Sequence, residues 1–452
     1  MIYQLYHRYV TGIFIFAAIF LFLLSCGSEH FIRNFKIDTN NALRTIINFE
    51  TFKESVSTIE YWKSTQPYQV FTKKSKSSRR HHIVLFNLDP DTRYNFVIKA
   101  NFSNKSRISD TSFFRTSSYP IPKPRFILSV DSGDVFDGFI LIRKVEYPSQ
   151  QIILNNKGQI VWYQLLDSAV TRFYSWTENN TVLSLNTEDH IQEFDLEGNI
   201  LFELRLGDKG FSKHLHHEII KDKKGNILSL TRNMKLFDLT EFGGIKEDTI
   251  FGDGILVLDS TGNKVWEWDM YQHENPLEDK NIEQMKKDWS HGNALGIDLD
   301  GNYLISFRNF HQIWKIDSES GDILWKLGLN GDLKLKEEDL FYSQHSVFIN
   351  QFEELMFFDN GLPGTKSRAI SFKIESDSIV KSGQYNVFLP PELYSIKEGS
   401  AYLIETDKIL ISSTRNNVIL ITNREGNILW QLITPEPVYR AYYLEEGIFN
   451  ML

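Results

Sequence analysis

The 452-residue chain predicts an all-β fold, a six-bladed β-propeller preceded by a small β-sandwich. Three observations carry that prediction. A turn followed by a strand ending in an aromatic recurs five times through the last three quarters of the chain. A second Gly-Asn turn interleaves with it. A proline-rich stretch separates this repetitive part from a preceding segment of opposite charge.

At the N-terminus, His7 and Arg8 precede an unbroken apolar run from Ile13 to Leu24, followed by Ser25 and Cys26. A run this short suits a signal-peptide core and falls below the roughly 18 apolar residues of a spanning helix. Leu23-Leu24-Ser25-Cys26-Gly27 resembles a bacterial lipobox, so residues 1–25 are expected to be a lipoprotein signal peptide and Cys26 to be lipidated. The protein would then be held on the periplasmic side of a bacterial membrane, with the outer membrane expected. A plain signal anchor is the alternative. Cys26 is the only cysteine, which excludes a disulfide scaffold and a Cys-rich zinc site.

Charge divides the remainder. Residues 31–118 carry 15 Lys+Arg against 7 Asp+Glu, whereas residues 119–452 carry 33 against 50. The overall net charge of −9 argues against nucleic acid as a partner. Short alternating runs at 45–49, 58–62, 82–86, 94–98 and 111–114 predict the strands of a sandwich over residues 26–118. Leu88-Asp-Pro90-Asp-Thr92-Arg-Tyr94 resembles the tyrosine corner of a fibronectin type III domain, with Trp62 as the candidate core tryptophan. The basic stretch Lys73–Arg80 reads as a solvated loop. Tyr119-Pro-Ile-Pro-Lys-Pro124 favours extended backbone and is the expected linker, residues 119–124.

Residues 125–452 are the predicted propeller. The first pattern places Gly158, Gly198, Gly262, Gly321 and Gly426 before strands carrying Trp162, Phe202, Trp266, Trp325 and Trp430. The long last gap fits two units, one with a degenerate turn near Glu375-Ser-Asp-Ser. The second pattern is Gly225-Asn, Gly301-Asn and, more loosely, Asp407-Lys. Two hairpin signals per unit make a four-stranded blade, and six units make the ring. Two stretches break the rhythm: an irregular insertion at 233–252, and 276–289, which could form a short helix. Either would be a lid or mere loop decoration.

Four of the twelve histidines look placed: His216-His217, His291 and His345, each expected where an inner strand begins. Equivalent positions on inner strands converge on the channel, where Arg308 would join them. Imidazoles and a guanidinium all donate hydrogen bonds, so such a mouth suits an anion. Asn293 is a candidate to orient substrate, and Ser400 opens the last inner strand. No HExxH helix, Walker loop or G-x-S-x-G elbow is present; Gly361–Ser367 lacks the Walker spacing.

At these residues the chain resembles the bacterial arylsulfate sulfotransferase (arylsulfotransferase, ASST) family. The stretch Trp289-Ser-His-Gly-Asn-Ala-Leu, Asp300-Gly-Asn-Tyr-Leu-Ile-Ser-Phe-Arg308 and Gly321-Asp-Ile-Leu-Trp-Lys-Leu-Gly328 carries the likeness, with His216-His217-Glu218 and Gln344-His345-Ser346 in order. The resemblance implies PAPS-independent, ping-pong transfer of a sulfuryl group from a phenolic sulfate donor to a phenol acceptor, with neither cofactor nor metal. It implies His345 as the nucleophile that becomes sulfated, with His217, His291 and Arg308 completing the site. The family's first histidine falls on His217 or on the adjacent His216, a substrate-binding candidate. A non-catalytic propeller that binds a ligand or glycan is the alternative function.

Overall fold

The structure, a computed structural model, describes residues 31–120, 123–133, 135–166 and 170–449. The signal segment and Cys26 therefore lie outside the described residues. Among these residues no helix is long and apolar enough to cross a membrane.

The first domain is two small sheets sharing one long strand. Thr45–Lys63 pairs through its first half with Ile32–Asp38 and Ser78–Leu85. Its second half pairs with Phe71–Lys74 and Arg93–Asn101, and the latter strand also pairs with Ser106–Ile108 and Ser112–Arg115. Odd-numbered residues of the long strand point inward, so Ile47, Phe49 and Ile59 meet Ile83, Phe96, Ile98 and Phe114 in one core. The two strands expected at 45–49 and 58–62 are thus one, interrupted by a register shift between Glu50 and Ser55. Trp62 lies on the even-numbered, outward face and is only half-buried, which corrects its expected place in the core; Tyr61 packs there instead. The expected corner at Tyr94 forms, its hydroxyl accepting the Asp89 N–H at 2.9 Å.

Six four-stranded antiparallel sheets follow, with one extra strand on the sixth. The innermost strands, numbered by blade, are Ala441–Leu444, Tyr174–Trp176, Leu215–Lys221, Gly292–Ile297, His345–Ile349 and Ser400–Leu403. Blade 1 thus takes its inner strand from the C-terminus, while Ile127–Asp131 adds a fifth strand to the outer edge of blade 6. The ring is fastened at both ends of its chain. Val84 and Phe86 of the sandwich join a buried cluster with Trp162 and Phe194, so the two domains share apolar surface.

The repeat glycines do what the spacing asks of them. Gly158, Gly198, Gly262, Gly321 and Gly426 sit at φ between 69 and 93°, a region closed to most side chains. In blade 5 the degenerate turn is made by Ser376 and Asp377, both at positive φ. Asp377 has a second duty. Trp162, Trp268 and Trp430 each donate their indole N–H to a carbonyl in the next blade's turn, those of Leu196, Gly321 and Asn156, at 2.7 to 2.9 Å. Trp325 donates to the Asp377 carboxylate at 3.0 Å. Trp266, the aromatic expected for the third repeat, is half-buried; Trp268 two residues on makes the contact.

These latches yield a stability prediction. Trp430→Ala should cost about 3–5 kcal/mol through the cavity it leaves, and Trp430→Phe, which mainly loses the hydrogen bond, about 1 kcal/mol. Denaturant midpoints measure both, and an unchanged midpoint in Trp430→Phe would refute the latch as a separate contribution.

The stretch at 233–252 is not irregular. It is the tip of a long hairpin in which Ile227–Phe237 and Asp248–Leu258 pair throughout. The segment 276–289 holds a 3-10 turn at Pro276–Glu278 and one helical turn at Ile282–Met285. It packs on that hairpin through Phe251–Lys286 and Trp289–Phe251 backbone bonds and the Lys286–Asp248 ion pair.

Candidate active site at the channel mouth

All six inner strands begin at one end of the channel, and residues near their starts, with Arg308 from the end of the second strand of blade 4, line a cavity of about 510 Å³. Blade 1 supplies Tyr439, blade 2 Arg172 and Phe173, and blade 3 His217. Blade 4 supplies His291 and Arg308, blade 5 His345, and blade 6 Lys397 and Glu398. The four residues singled out as catalytic candidates therefore share one wall. A second concavity, about 200 Å³ beside Arg44 and Tyr163, contains no imidazole. Among the described residues no group of three or more His, Cys, Asp or Glu side chains is placed to hold a metal ion.

The histidines do not occupy equivalent positions, as the repeat pattern led one to expect. Bulges intervene. Pairing jumps from His216–Leu230 to Ile219–Ser229 in blade 3, and from His345–Phe358 to Phe348–Met356 in blade 5. By this register His345 matches His216, and His217 takes the bulge position that Ser346 takes in blade 5, at φ 56° and 64°. His291 lies just before its strand at φ 51°. A bulge re-aims the side chain it carries. Here it turns His217 to the cavity and leaves His216 behind it.

His345 is buried and its orientation is fixed. Asn360 donates its amide to the carbonyls of Ser395 and Glu398 at 2.7 and 2.8 Å, so its oxygen faces the ring. His345 Nδ1 lies 2.7 Å from that oxygen and 2.9 Å from the Ser343 carbonyl, two acceptors that require a proton on Nδ1. Nε2 then keeps its lone pair and accepts a weak 3.3 Å bond from the Glu398 N–H. Burial pushes the ring down to about 3, against the opposing Asn360 bond, with His291 and Arg308 adding to the depression. His345 is a neutral imidazole with an open lone pair.

His217 is depressed well below the usual histidine range by burial and by the neighbouring His216, His291, His345 and Arg440. Its ring sits 5.0 Å from those of both His291 and Phe173. His291 Nδ1 is 2.6 Å from the Asp288 carboxylate, which leaves its Nε2 for the cavity. Arg308 has a buried Nε without a partner, donates from Nη1 to Asn309 Oδ1 at 3.3 Å and, among the described residues, makes no ion pair. By contrast, Arg172 is paired with Glu398 at 3.0 Å. Uncompensated positive charge at the mouth thus comes from Arg308 and the exposed Lys397.

Two candidates change role. Asn293 is fully buried; its amide donates to the Gln344 carbonyl at 2.8 Å, so it holds the strand that carries His345 and does not line the cavity. His216 likewise stands behind the wall, its Nδ1 2.8 Å from His217 Nδ1. Ser400 is buried in its strand, and Lys397 and Glu398 reach the cavity in its place. Arg172, Phe173, Lys397, Glu398 and Tyr439 were not singled out from the sequence. Each lies one to three residues before an inner strand, which is the signal that could have found them.

The low values of His217 and His345 have a signed consequence for stability. Their unfolded counterparts titrate near 6.5. As pH falls from about 6.5 toward 3, the unfolded chain takes up protons that the native state refuses, so stability falls across that window. His345→Gln should flatten the pH dependence of the unfolding midpoint between pH 7 and 4.5. An unchanged slope would mean that the ring titrates normally in the native state.

Fold and site together define a six-bladed propeller whose channel mouth gathers imidazoles and a guanidinium from different blades. The chain belongs to the arylsulfotransferase (ASST) family, whose model matches residues 127–387, more than half of the sequence. The matched span includes His217, His291, Arg308, His345 and Asn360, and ends before Lys397, Glu398 and Tyr439. No curated protein matches the chain. Among solved structures, a protein of unknown function from Bacteroides caccae is similar over 68% of this chain and 98% of its own, at 11% identity and TM-score 0.42. A streptogramin B lyase covers 71% of this chain and 88% of its own at 13% identity and TM-score 0.39. A virginiamycin B lyase from Staphylococcus aureus covers 68% and 99% at 14% identity and TM-score 0.35.

Proposed function

We propose that the protein is an aryl-sulfate sulfotransferase that moves a sulfuryl group from a phenolic sulfate to an acceptor phenol through a sulfated His345. The observation that supports this most is the neutral His345, pinned at Nδ1 with its Nε2 lone pair engaged only by a weak bond from the Glu398 N–H, in one cavity with an Arg308 that has no carboxylate partner among the described residues.

The His345 Nε2 lone pair attacks sulfur, and the sulfur–oxygen bond to the donor breaks with its electron pair leaving on the phenolic oxygen. In the second half, the acceptor phenol gives its O–H proton to His217 Nε2 as its oxygen attacks sulfur, and the nitrogen–sulfur bond returns its pair to His345. Splitting the transfer lets one cavity serve both phenols in turn. Sulfuryl transfer, like phosphoryl transfer, asks chiefly for in-line positioning and charge stabilisation on peripheral oxygens. Arg308 supplies donors for those oxygens, and His291, whose Nδ1 is held by Asp288, adds its Nε2–H in the imidazolium form. When Nε2 engages sulfur, the Glu398 N–H is freed from the ring to join them. Phe173 and Tyr439, 5.3 Å apart and edge to face, offer aromatic surface to the phenol.

The same reading makes Cys26 a lipid-bearing residue, so that the protein works from the periplasmic side of a membrane, and makes the sandwich a fibronectin type III-like spacer. The Tyr94 corner supports the second point.

Release of a chromogenic phenol from its sulfate ester, with and without a second phenol and with chelator throughout, tests the activity. Release that requires the acceptor is expected. Release into water alone would make the protein a sulfatase, and none over a broad set of donors would favour a binding propeller.

A further inference from the structure

Behind His217 lies a buried chain of polar groups that the transfer itself does not use. His216 Nδ1 is 2.8 Å from His217 Nδ1, and His216 Nε2 is 3.0 Å from Asp253 Oδ1, off the straight hydrogen-bond line. The other Asp253 oxygen accepts the Ser290 hydroxyl and, at 2.6 Å, the Gly292 N–H. Asp253 and His216 are both nearly inaccessible to solvent. Burial pushes the Asp253 carboxyl up, but the bonds from His216, Ser290 and Gly292 outweigh it and hold the group below the ordinary range.

A carboxylate 3.0 Å away requires a proton on His216 Nε2. The two Nδ1 atoms, at 2.8 Å, share one proton. With His216 neutral, that proton belongs to His217, whose Nε2 then presents a lone pair to the cavity. With the proton on His216, the bond reverses, and His217 Nε2 carries a proton into the cavity. A doubly protonated His217 would also keep both contacts attractive, but it would put the charge where burial, His291, His345 and Arg440 disfavour it.

We propose that His216 and Asp253 are a buried proton store for His217, a positioning pair that lets one imidazole serve as base for the acceptor and as acid for the donor. The inference rests on the sulfotransferase reading. In the acceptor half, the phenol O–H breaks as His217 Nε2 gains the proton, and His217 gives its Nδ1 proton to His216. The positive charge comes to rest beside Asp253 rather than among His291, His345 and Arg440, which all disfavour it on His217. In the next donor half the shift runs backward, and the departing phenolate takes the Nε2 proton. Around Asp253, Ser290 and the Gly292 N–H are neutral donors, and Tyr271 stays protonated because burial raises it. The charge held there is therefore set by His216.

The two half-reactions separate the proposal from a structural role. With a nitrophenyl sulfate donor, whose leaving group needs no proton, Asp253→Asn should sulfate His345 within about threefold of the wild-type rate. Transfer onward to weakly acidic phenols should slow about 10–100-fold, with a steeper dependence on acceptor acidity and an altered pH profile. Equal slowing of both halves with an unchanged acceptor dependence would overturn it. The wild type tests the same point should the variant not fold. Its acceptor half should show a curved rate dependence on deuterium fraction, two protons moving, and a straight line would overturn the relay. Absence of any sulfated enzyme in the wild type would instead overturn the sulfotransferase reading.

Discussion

His345→Ala is expected to abolish transfer, lowering kcat by about 10³-fold or more, as removal of a covalent nucleophile does. The expectation is specific because the ring is so fully determined. Its Nδ1 is committed to Asn360 and Ser343, and burial, pushing the ring down to about 3, keeps it neutral near pH 7. Mass spectrometry of wild-type protein quenched during turnover should show one added sulfuryl group, lost when acceptor is added and absent in the variant. Full turnover in the variant, or an adduct on another histidine, would remove His345 from the mechanism. Asn360 deserves a parallel measurement. In Asn360→Leu, Nδ1 keeps only the Ser343 carbonyl and the ring is held less firmly, so activity should fall although the nucleophile remains.

Arg308→Ala should be the second-largest loss, about 10²–10³-fold in kcat, the scale of one removed charge-stabilising donor in a water-poor site. Its guanidinium has no carboxylate partner among the described residues, unlike Arg172 and Arg440, which pair with Glu398 and Glu218. An arginine left unpaired beside three imidazoles is free to hold an anion. Arg308→Lys should recover only part of the loss, because an ammonium cannot present two parallel donors. Lys397→Ala, at the exposed rim, should alter KM more than kcat and do so less at high salt. If Arg308→Ala changed KM alone, the guanidinium would bind the ground state and give nothing extra at the transition state.

The ring could be read from the chain because each blade leaves a local mark. A glycine at positive φ, a strand and an aromatic recur with little variation, and even the aberrant turn at Ser376-Asp377 stood where the spacing required one. The channel histidines were legible for the same reason: strand starts are countable. What escaped depends on contacts between distant parts of the chain. Asp253 comes to His216 from another strand of blade 3, and Asn360 comes to His345 from the far end of a neighbouring strand. The choice between His216 and His217 turned on a bulge, which changes facing without changing composition. Trp62 was misplaced because a 19-residue strand fixes the parity of every position along it, and the sequence suggested two short strands instead.

Tyr439 stands two residues ahead of the last strand among the described residues, and that strand completes the first blade. The wall of the cavity and the fastening of the ring are therefore the same piece of chain. A ribosome that has released everything up to blade 6 has made every histidine of the site and still has not made the site. On the sulfotransferase reading, a molecule truncated before Tyr439 is expected to be silent even though its histidines are all present.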